Sequence, residues 1–378
     1  MCLAANHFPH RLHSMLKFFT ALLSLTLTLR AQADDLPAII DPLVEPILKD
    51  KKNIGLVVAV WQDGKSQVFG YGKVFTPVGE QVPDGRTLFE IGSITKSFTG
   101  VLLAEAVRRG EVKLDDPINK HLPPDLQLKS HADGPATLLH FATHRSGWPV
   151  QPPLLGLIAK DSTNPYASYD RKKLVGLLAT LTPKKPPGVT YEYSNLGAGL
   201  VGHALVHVAK ADGYNALLQE RIAKPLGLKD TTEAPNGEQR ARMARGHDKE
   251  GEPVSGWDFA TLEGCGAIRS TANDMIRYAA ANLGEIKTPL QPALSLSHKR
   301  QRAEGRMQTG LFWVLMTLPD SEIQTIWHNG GTGGYRSMLM MVPKTKTAVV
   351  VLCSASQDKI IDKLTINIVH ALHPEENP

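Results

Sequence analysis

The chain has 378 residues, 42% of them hydrophobic and 21% charged, which excludes a disordered or collagen-like polymer and leaves one large or two intimate domains. The formal net charge of +5 is concentrated at the start: residues 1–33 hold Arg11, Lys17 and Arg30 with no acid, so the remainder carries +2 and offers no basic face to nucleic acid. Three cysteines are too few for a disulfide scaffold or a zinc finger, and the apolar surroundings of Cys265 and Cys353 predict free buried thiols.

The opening segment reads as an export signal. Lys17 precedes the apolar run Phe18–Leu29, Ala31-Gln-Ala33 supplies a small-x-small cleavage site, and Asp34 would begin the mature chain, with Met15 as an alternative start. The run is shorter than the roughly 20 residues that span a bilayer, so residues 1–33 are expected to be removed, leaving a periplasmic or secreted monomer without a membrane span.

A helix is predicted near Leu36–Lys49, then a hairpin of Gly55–Trp61 and Ser66–Phe75 turned at Asp63-Gly64. Leu102–Arg109 has helical spacing and stops at Gly110. From Asp116 to Ala260 helical pieces alternate with Pro/Gly loops such as Pro149–Pro153 and Pro183–Gly188. Ser270–Leu283 is helical again, strand-like runs follow at Gly310–Thr317, Glu322–His328, Tyr335–Val342 and Ala348–Cys353, and a last helix covers Lys359–Leu372. Strands from both chain ends imply an α/β (α+β) fold: one antiparallel sheet flanked by helices, built from residues 34–115 and 262–378, with residues 116–261 inserted as an all-α domain.

Three separated motifs carry chemistry. In Ser93-Ile-Thr-Lys96 the Ser and Lys lie three apart at a helix start, so the desolvated amine reaches the hydroxyl and can share in proton transfer. Ser14–Lys17 and Ser356–Lys359 match the same spacing, but only Ser93 follows Phe89-Glu-Ile-Gly92 and leads into a long apolar helix. Tyr193-Ser194-Asn195 is the only Tyr-x-Asn in the chain and is expected on a loop after Lys184–Gly188. A tyrosine serves as a base only where a cation favours its phenolate, which Lys96 could do, and the Asn195 amide can bond both a lysine and a substrate carbonyl. His328-Asn-Gly-Gly-Thr-Gly-Gly334 ends a strand, where Gly330 and Gly331 let a substrate approach and the Gly331 N–H could serve as an oxyanion donor. No Gly-x-Ser-x-Gly elbow occurs. The pairs His140/His144 and His203/His207 have i, i+4 spacing but neither the Glu of a His-Glu-x-x-His site nor an evident third ligand, so no metal is expected. Trp148 and Tyr335 fit a cleft lining or simple packing equally well.

In this order and at these distances the motifs resemble those of the penicillin-recognising serine hydrolases: class C β-lactamases and the related D,D-carboxypeptidases and esterases, with Ser-x-x-Lys, Tyr-x-Asn and Lys-Thr-Gly or His-x-Gly. The resemblance covers nearly all of residues 40–360. Leu139–Gly147 is similar to the family's Leu-Leu-Thr-His-Thr-Ser-Gly stretch, and Gln151 falls where class C enzymes place a Gln that binds the substrate amide. The resemblance implies Ser93 as nucleophile, Lys96 and Tyr193 in proton transfer, an oxyanion hole from the Ser93 and Gly331 N–H groups, and Tyr193 or His328 activating water. It further implies β-lactams or D-alanyl peptides as substrates, with no cofactor. An ester-cleaving member or a penicillin-binding sensor without turnover are the alternatives. His328 stands where β-lactamases of this class usually carry Lys, and its protonation on lowering the pH is expected to strengthen recognition of a substrate carboxylate.

Overall fold

A two-residue turn at Asp63-Gly64, both left-handed with φ +52° and +73°, joins strands β1 (Gly55–Gln62) and β2 (Lys65–Gly72) in the computed structural model. The structure describes residues 35–50, 54–152, 163–304, 307–356 and 359–374. The predicted leader, its cleavage point and Ser14–Lys17 lie outside them. Helix α1 (Leu36–Asp50) opens the described chain.

The predicted second strand ends early, because the backbone turns at Gly72 (φ +65°), and Phe75 joins a separate small ribbon of Val74–Thr76 and Gly79–Gln81. After a long interruption the sheet resumes with β3 (Arg302–Glu304), β4 (Met307–Thr309), β5 (Val314–Thr317), β6 (Gln324–Gly331), β7 (Arg336–Val342) and β8 (Thr347–Cys353). The order is β2-β1-β8-β7-β6-β5-β4-β3 and every pairing is antiparallel, so both ends of the chain build one sheet, as expected. All seven residues of β8 are buried. A strand alternates its faces, so both sides must be covered; α6 (Ala272–Asn282) packs over β1 and β8, and α8 (Ile360–Leu372) over β7 and β8.

The predicted strand Gly310–Thr317 is half right. Gly310 to Trp313 form a turn, with the Gly310 N–H donating to Trp313 O at 2.9 Å, and the Phe312 N–H donates to Ala142 O. β5 therefore pairs with β6 only from Gln324 to Trp327, whereas β7 accompanies β6 to Gly331. Residues 328–331 are left with one edge unpaired among the described residues.

Helix α2 (Thr95–Arg108) starts seven residues before the predicted Leu102 and is buried from Thr95 to Ala106. It packs against α5 (Asn195–Ala209), the turn Glu263–Cys265 and the short helix α7 (Gln291–Ser297). Phe98 stacks on Tyr278 of α6 with ring centroids 4.0 Å apart, worth about 0.5–1.5 kcal/mol beyond the area buried. α3 (Leu138–Ala142) and α4 (Arg171–Thr180) also belong to the segment between the two parts of the sheet. Cys265 and Cys353 are buried and free. Trp148 and Tyr335 are both buried in the core, the Tyr335 hydroxyl donating to Ala244 O at 2.6 Å. No helix among the described residues is long and apolar enough to cross a membrane.

Candidate active site

From Thr87 to Ala106 every residue is buried except Ser93. Ser93 lies in a tight turn, Gly92–Ile94, that feeds directly into α2, and one turn later Lys96 points back at it. The Lys96 Nζ, with no exposed surface, donates to Ser93 Oγ at 3.0 Å and to the Cys265 carbonyl at 2.7 Å, and lies 4.8 Å from the centre of the Tyr193 ring. A buried ammonium is costly unless its protons are met; here two acceptors and a π face meet them. The Cys265 carbonyl is a partner that no motif reveals.

Tyr193 sits among three groups. Its ring lies 4.5 Å from that of His144 and 6.3 Å from that of His328, centre to centre, besides the Lys96 contact. The motif is not wholly on a loop as expected. Ser194 is the N-cap of α5, accepting from the Gly197 N–H at 2.9 Å, and Asn195 is the first helical residue. The Asn195 amide does not bond Lys96. Its Nδ2 donates to the Tyr166 hydroxyl at 3.1 Å, while Oδ1 is buried with no partner among the described residues, leaving an acceptor for a ligand N–H. Burial pushes the Tyr166 phenol upward, which keeps it neutral. Gln151 is exposed, directly after Val150, whose carbonyl accepts from the Asn195 N–H at 2.6 Å.

The end of β6 is pressed onto the turn that carries Ser93. A Cβ at Gly92 would lie 2.7 Å from the Gly331 nitrogen, and one at Gly330 would lie 2.0 Å from the Ile91 carbonyl oxygen. Ser337 on β7 donates to that same carbonyl at 2.8 Å. Only glycines permit this approach, and it brings the Gly331 amide beside the residue preceding Ser93.

His328 is buried, and its Nδ1 pairs with the Asn329 carbonyl at 2.6 Å. The carbonyl can only accept, so Nδ1 carries the proton and Nε2 is the acceptor atom. Burial first, and Lys96 second, push its pKa down to about 3. This corrects the expectation that mild acid would turn His328 into a cation: the sequence shows the imidazole but not the desolvation. The nearby Arg336 is tied to Asp362 through Nε at 3.2 Å, and Asp362 also accepts from Asn329.

The i, i+4 histidines have other work. His140 completes the cap of α3, accepting from the Thr137 N–H, and the His203 Nε2 pairs with Thr261 O at 2.7 Å. The i, i+4 spacing of His144 does not point to this site; its place in the Leu139–Gly147 stretch is the available signal. Separate from these residues, a cavity of about 780 Å³ is lined by Glu90, Glu233, Arg245 and Tyr335 among others.

Comparison with known proteins gives one consistent picture. The family model described as Beta-lactamase matches residues 40–371. A beta-lactamase of Pseudomonas fluorescens is 31% identical over 290 residues, covering 76% of each chain. The D-alanyl-D-alanine-carboxypeptidase/endopeptidase AmpH of Escherichia coli K12 is 29% identical over 333 residues, covering 84% of each. Among solved structures, a class C beta-lactamase superimposes with a TM-score of 0.78 at 24% identity, over 88% of this chain and 95% of the other. A class C beta-lactamase in complex with cefoxitin has the same TM-score and identity, over 89% and 98%.

Proposed function

Because the chain belongs to the beta-lactamase family, we propose that it is an exported serine hydrolase that forms an acyl-enzyme on Ser93 with the amide bond of β-lactams or D-alanyl peptides. The observation that carries this reading is the 3.0 Å contact between Lys96 Nζ and the one solvent-reaching hydroxyl in an otherwise buried stretch.

Ser93 Oγ attacks the acyl carbon while Tyr193, beside the Lys96 ammonium, accepts its proton and passes it to the leaving nitrogen. The Ser93 and Gly331 N–H groups hold the developing oxyanion. The acyl portion lies in extended form along the unpaired edge of residues 328–331, where strand-like bonding is open to it, and a substrate amide N–H meets the unpartnered Asn195 Oδ1. Water then enters on the ester, with Tyr193 as its base and the neutral His328 Nε2 as a further acceptor. The relatives named beta-lactamase and AmpH carboxypeptidase/endopeptidase support these two amide substrates.

A second reading follows from His328. Its imidazole stays neutral, with its one N–H given to the Asn329 carbonyl, and Lys96 is engaged by Ser93 and Cys265, so a substrate carboxylate meets neither a fixed cation nor a free N–H on His328. That favours neutral esters. Steady-state turnover of nitrocefin, a D-alanyl-D-alanine peptide and p-nitrophenyl butyrate by the purified protein decides between them. We expect turnover of at least one of the first two; hydrolysis of the ester alone selects the second reading, and a stable penicillin adduct without turnover of any of the three sinks the hydrolase reading.

Export rests on the Ala31-Gln-Ala33 site and the short apolar run before it. N-terminal sequencing of the protein from its native host should begin at Asp34, in the periplasm or medium. Recovery of residues 15–33 on the mature chain would mean a retained anchor.

A further inference from the structure

We propose that His144 is the positioning residue of the site: it holds Tyr193 by gripping the chain on both sides of it. The inference rests on the reading of Tyr193 as the base, and adds a residue to it.

The grip is made by two different parts of one residue. The Glu192 N–H donates to the His144 backbone carbonyl at 2.7 Å, and the Ser194 N–H donates to the His144 ring Nδ1 at 3.1 Å. Tyr193 is the residue between. The imidazole then packs on the Tyr193 ring at 4.5 Å, with Tyr191 and Phe312 edge-on to it at 5.8 and 5.3 Å. Neighbouring bonds extend the same docking: Gly188 N–H to Arg145 O at 2.7 Å, Ser194 Oγ to Pro149 O at 2.6 Å, and Asn195 N–H to Val150 O at 2.6 Å. Among the described residues, however, only His144 acts both immediately before and immediately after the tyrosine.

The bond to Ser194 dictates the state of the ring. A backbone N–H needs a lone pair, so Nδ1 is unprotonated and Nε2 bears the hydrogen. The groups around it agree. His144 is buried, and the charged or titratable groups facing it are Lys96, Arg145, His328, Tyr191 and Tyr193; burial and the neighbouring cations hold it neutral. The backbone of His144 is itself left-handed, with φ +56°, the bend that lets its carbonyl and its ring both reach the 192–194 segment. Asparagine tolerates that bend and presents an acceptor in the place of Nδ1.

The test is the rate at which a fluorescent fluorophosphonate labels Ser93, measured against probe concentration in His144→Ala, His144→Asn and His144→Phe, with circular dichroism on each. A loosely held base slows the covalent step and leaves probe binding alone. We expect the limiting labelling rate to fall by about 30-fold or more in Ala and Phe, with half-saturation within about threefold of the wild type, and Asn to recover to within about fivefold. If Ala does not fold, the Asn and Phe proteins still separate the acceptor from the ring. Phe labelling as fast as the wild type, or Asn no faster than Phe, would overturn the proposal. Tyr193→Phe is run alongside: a wild-type labelling rate there would remove the reading on which the proposal rests, whereas slow Tyr193→Phe with fast His144→Phe removes only the role given to His144.

Discussion

Ser93→Ala will fold and form no covalent adduct with a labelled penicillin or a fluorophosphonate, while Ser356→Ala will be labelled as the wild type is. The two serines share the Ser-x-x-Lys spacing and nothing else. Ser93 is held at the entrance to a buried helix with a wholly buried ammonium 3.0 Å from its oxygen. Lys359, which would be the partner of Ser356, is exposed, with a left-handed backbone at φ +53°. Removing the lysine alone, as Lys96→Ala, should lower the acylation rate by about 10²–10⁴-fold, the range for a positioned proton-transfer group, because water reaching the vacated space is a poor substitute for a fixed donor and charge. Intact-mass spectrometry after exposure to each probe, with circular dichroism to confirm folding, reads both effects. An adduct that persists on Ser93→Ala would sink the assignment of the nucleophile, and Lys96→Ala within threefold of the wild type would sink that of the lysine.

Local signals were the ones that survived folding. Asp63-Gly64 between two apolar runs allows little but a tight hairpin, and the apolar runs Met338–Val342 of β7 and Ala348–Cys353 of β8 fit central strands of a sheet covered on both faces. The spacing of Ser93 and Lys96 likewise needs nothing beyond one helical turn. What escaped depends on remote parts of the chain. β3 and β4 are three residues each, with Arg302, Glu304, Gln308 and Thr309 among them, too short and polar to show a period. The left-handed bend at Phe312, which frees the edge of β6, is invisible in an apolar run that reads as strand throughout. Tyr193-Ser-Asn195 follows a Pro/Gly loop that hides the start of α5, although Ser194 followed by an apolar run is a legible N-cap signal. The role of His144 emerges only when residues 144–150 and 188–195 are laid side by side.

Burial of His328 makes stability, rather than carboxylate recognition, the property that responds to its protonation. In the unfolded chain a histidine takes up its proton near pH 6.5, but in the folded protein His328 does so only at about 3. Between those values the unfolded state binds more protons than the folded one, so stability rises with pH and is lost as pH falls from about 6.5 towards 3. His144, also lowered by burial and nearby cations, works in the same direction. Glu233 opposes them: burial and Glu263 push its carboxyl up to about 7, so the folded state binds the extra proton between the ordinary glutamate range and pH 7, and that part of the stability grows as pH falls. The net curve mixes both signs, which makes a difference measurement the decisive one. Over pH 7 to 5 His328 should contribute a loss of up to about 2 kcal/mol, at roughly 1.4 kcal/mol for each pH unit below its unfolded value. Urea midpoints of the wild type and His328→Asn at pH 7, 6 and 5 should therefore converge on acidification, because asparagine cannot titrate. In the same interval the ratio of kcat/KM for nitrocefin to that for p-nitrophenyl butyrate should not rise through His328, since the folded imidazole is still neutral at pH 5. Parallel midpoints for the two proteins, or a selectivity for the anionic substrate that climbs below pH 6.5 in the wild type and not in His328→Asn, would show that this ring is reached by water and titrates in the folded state.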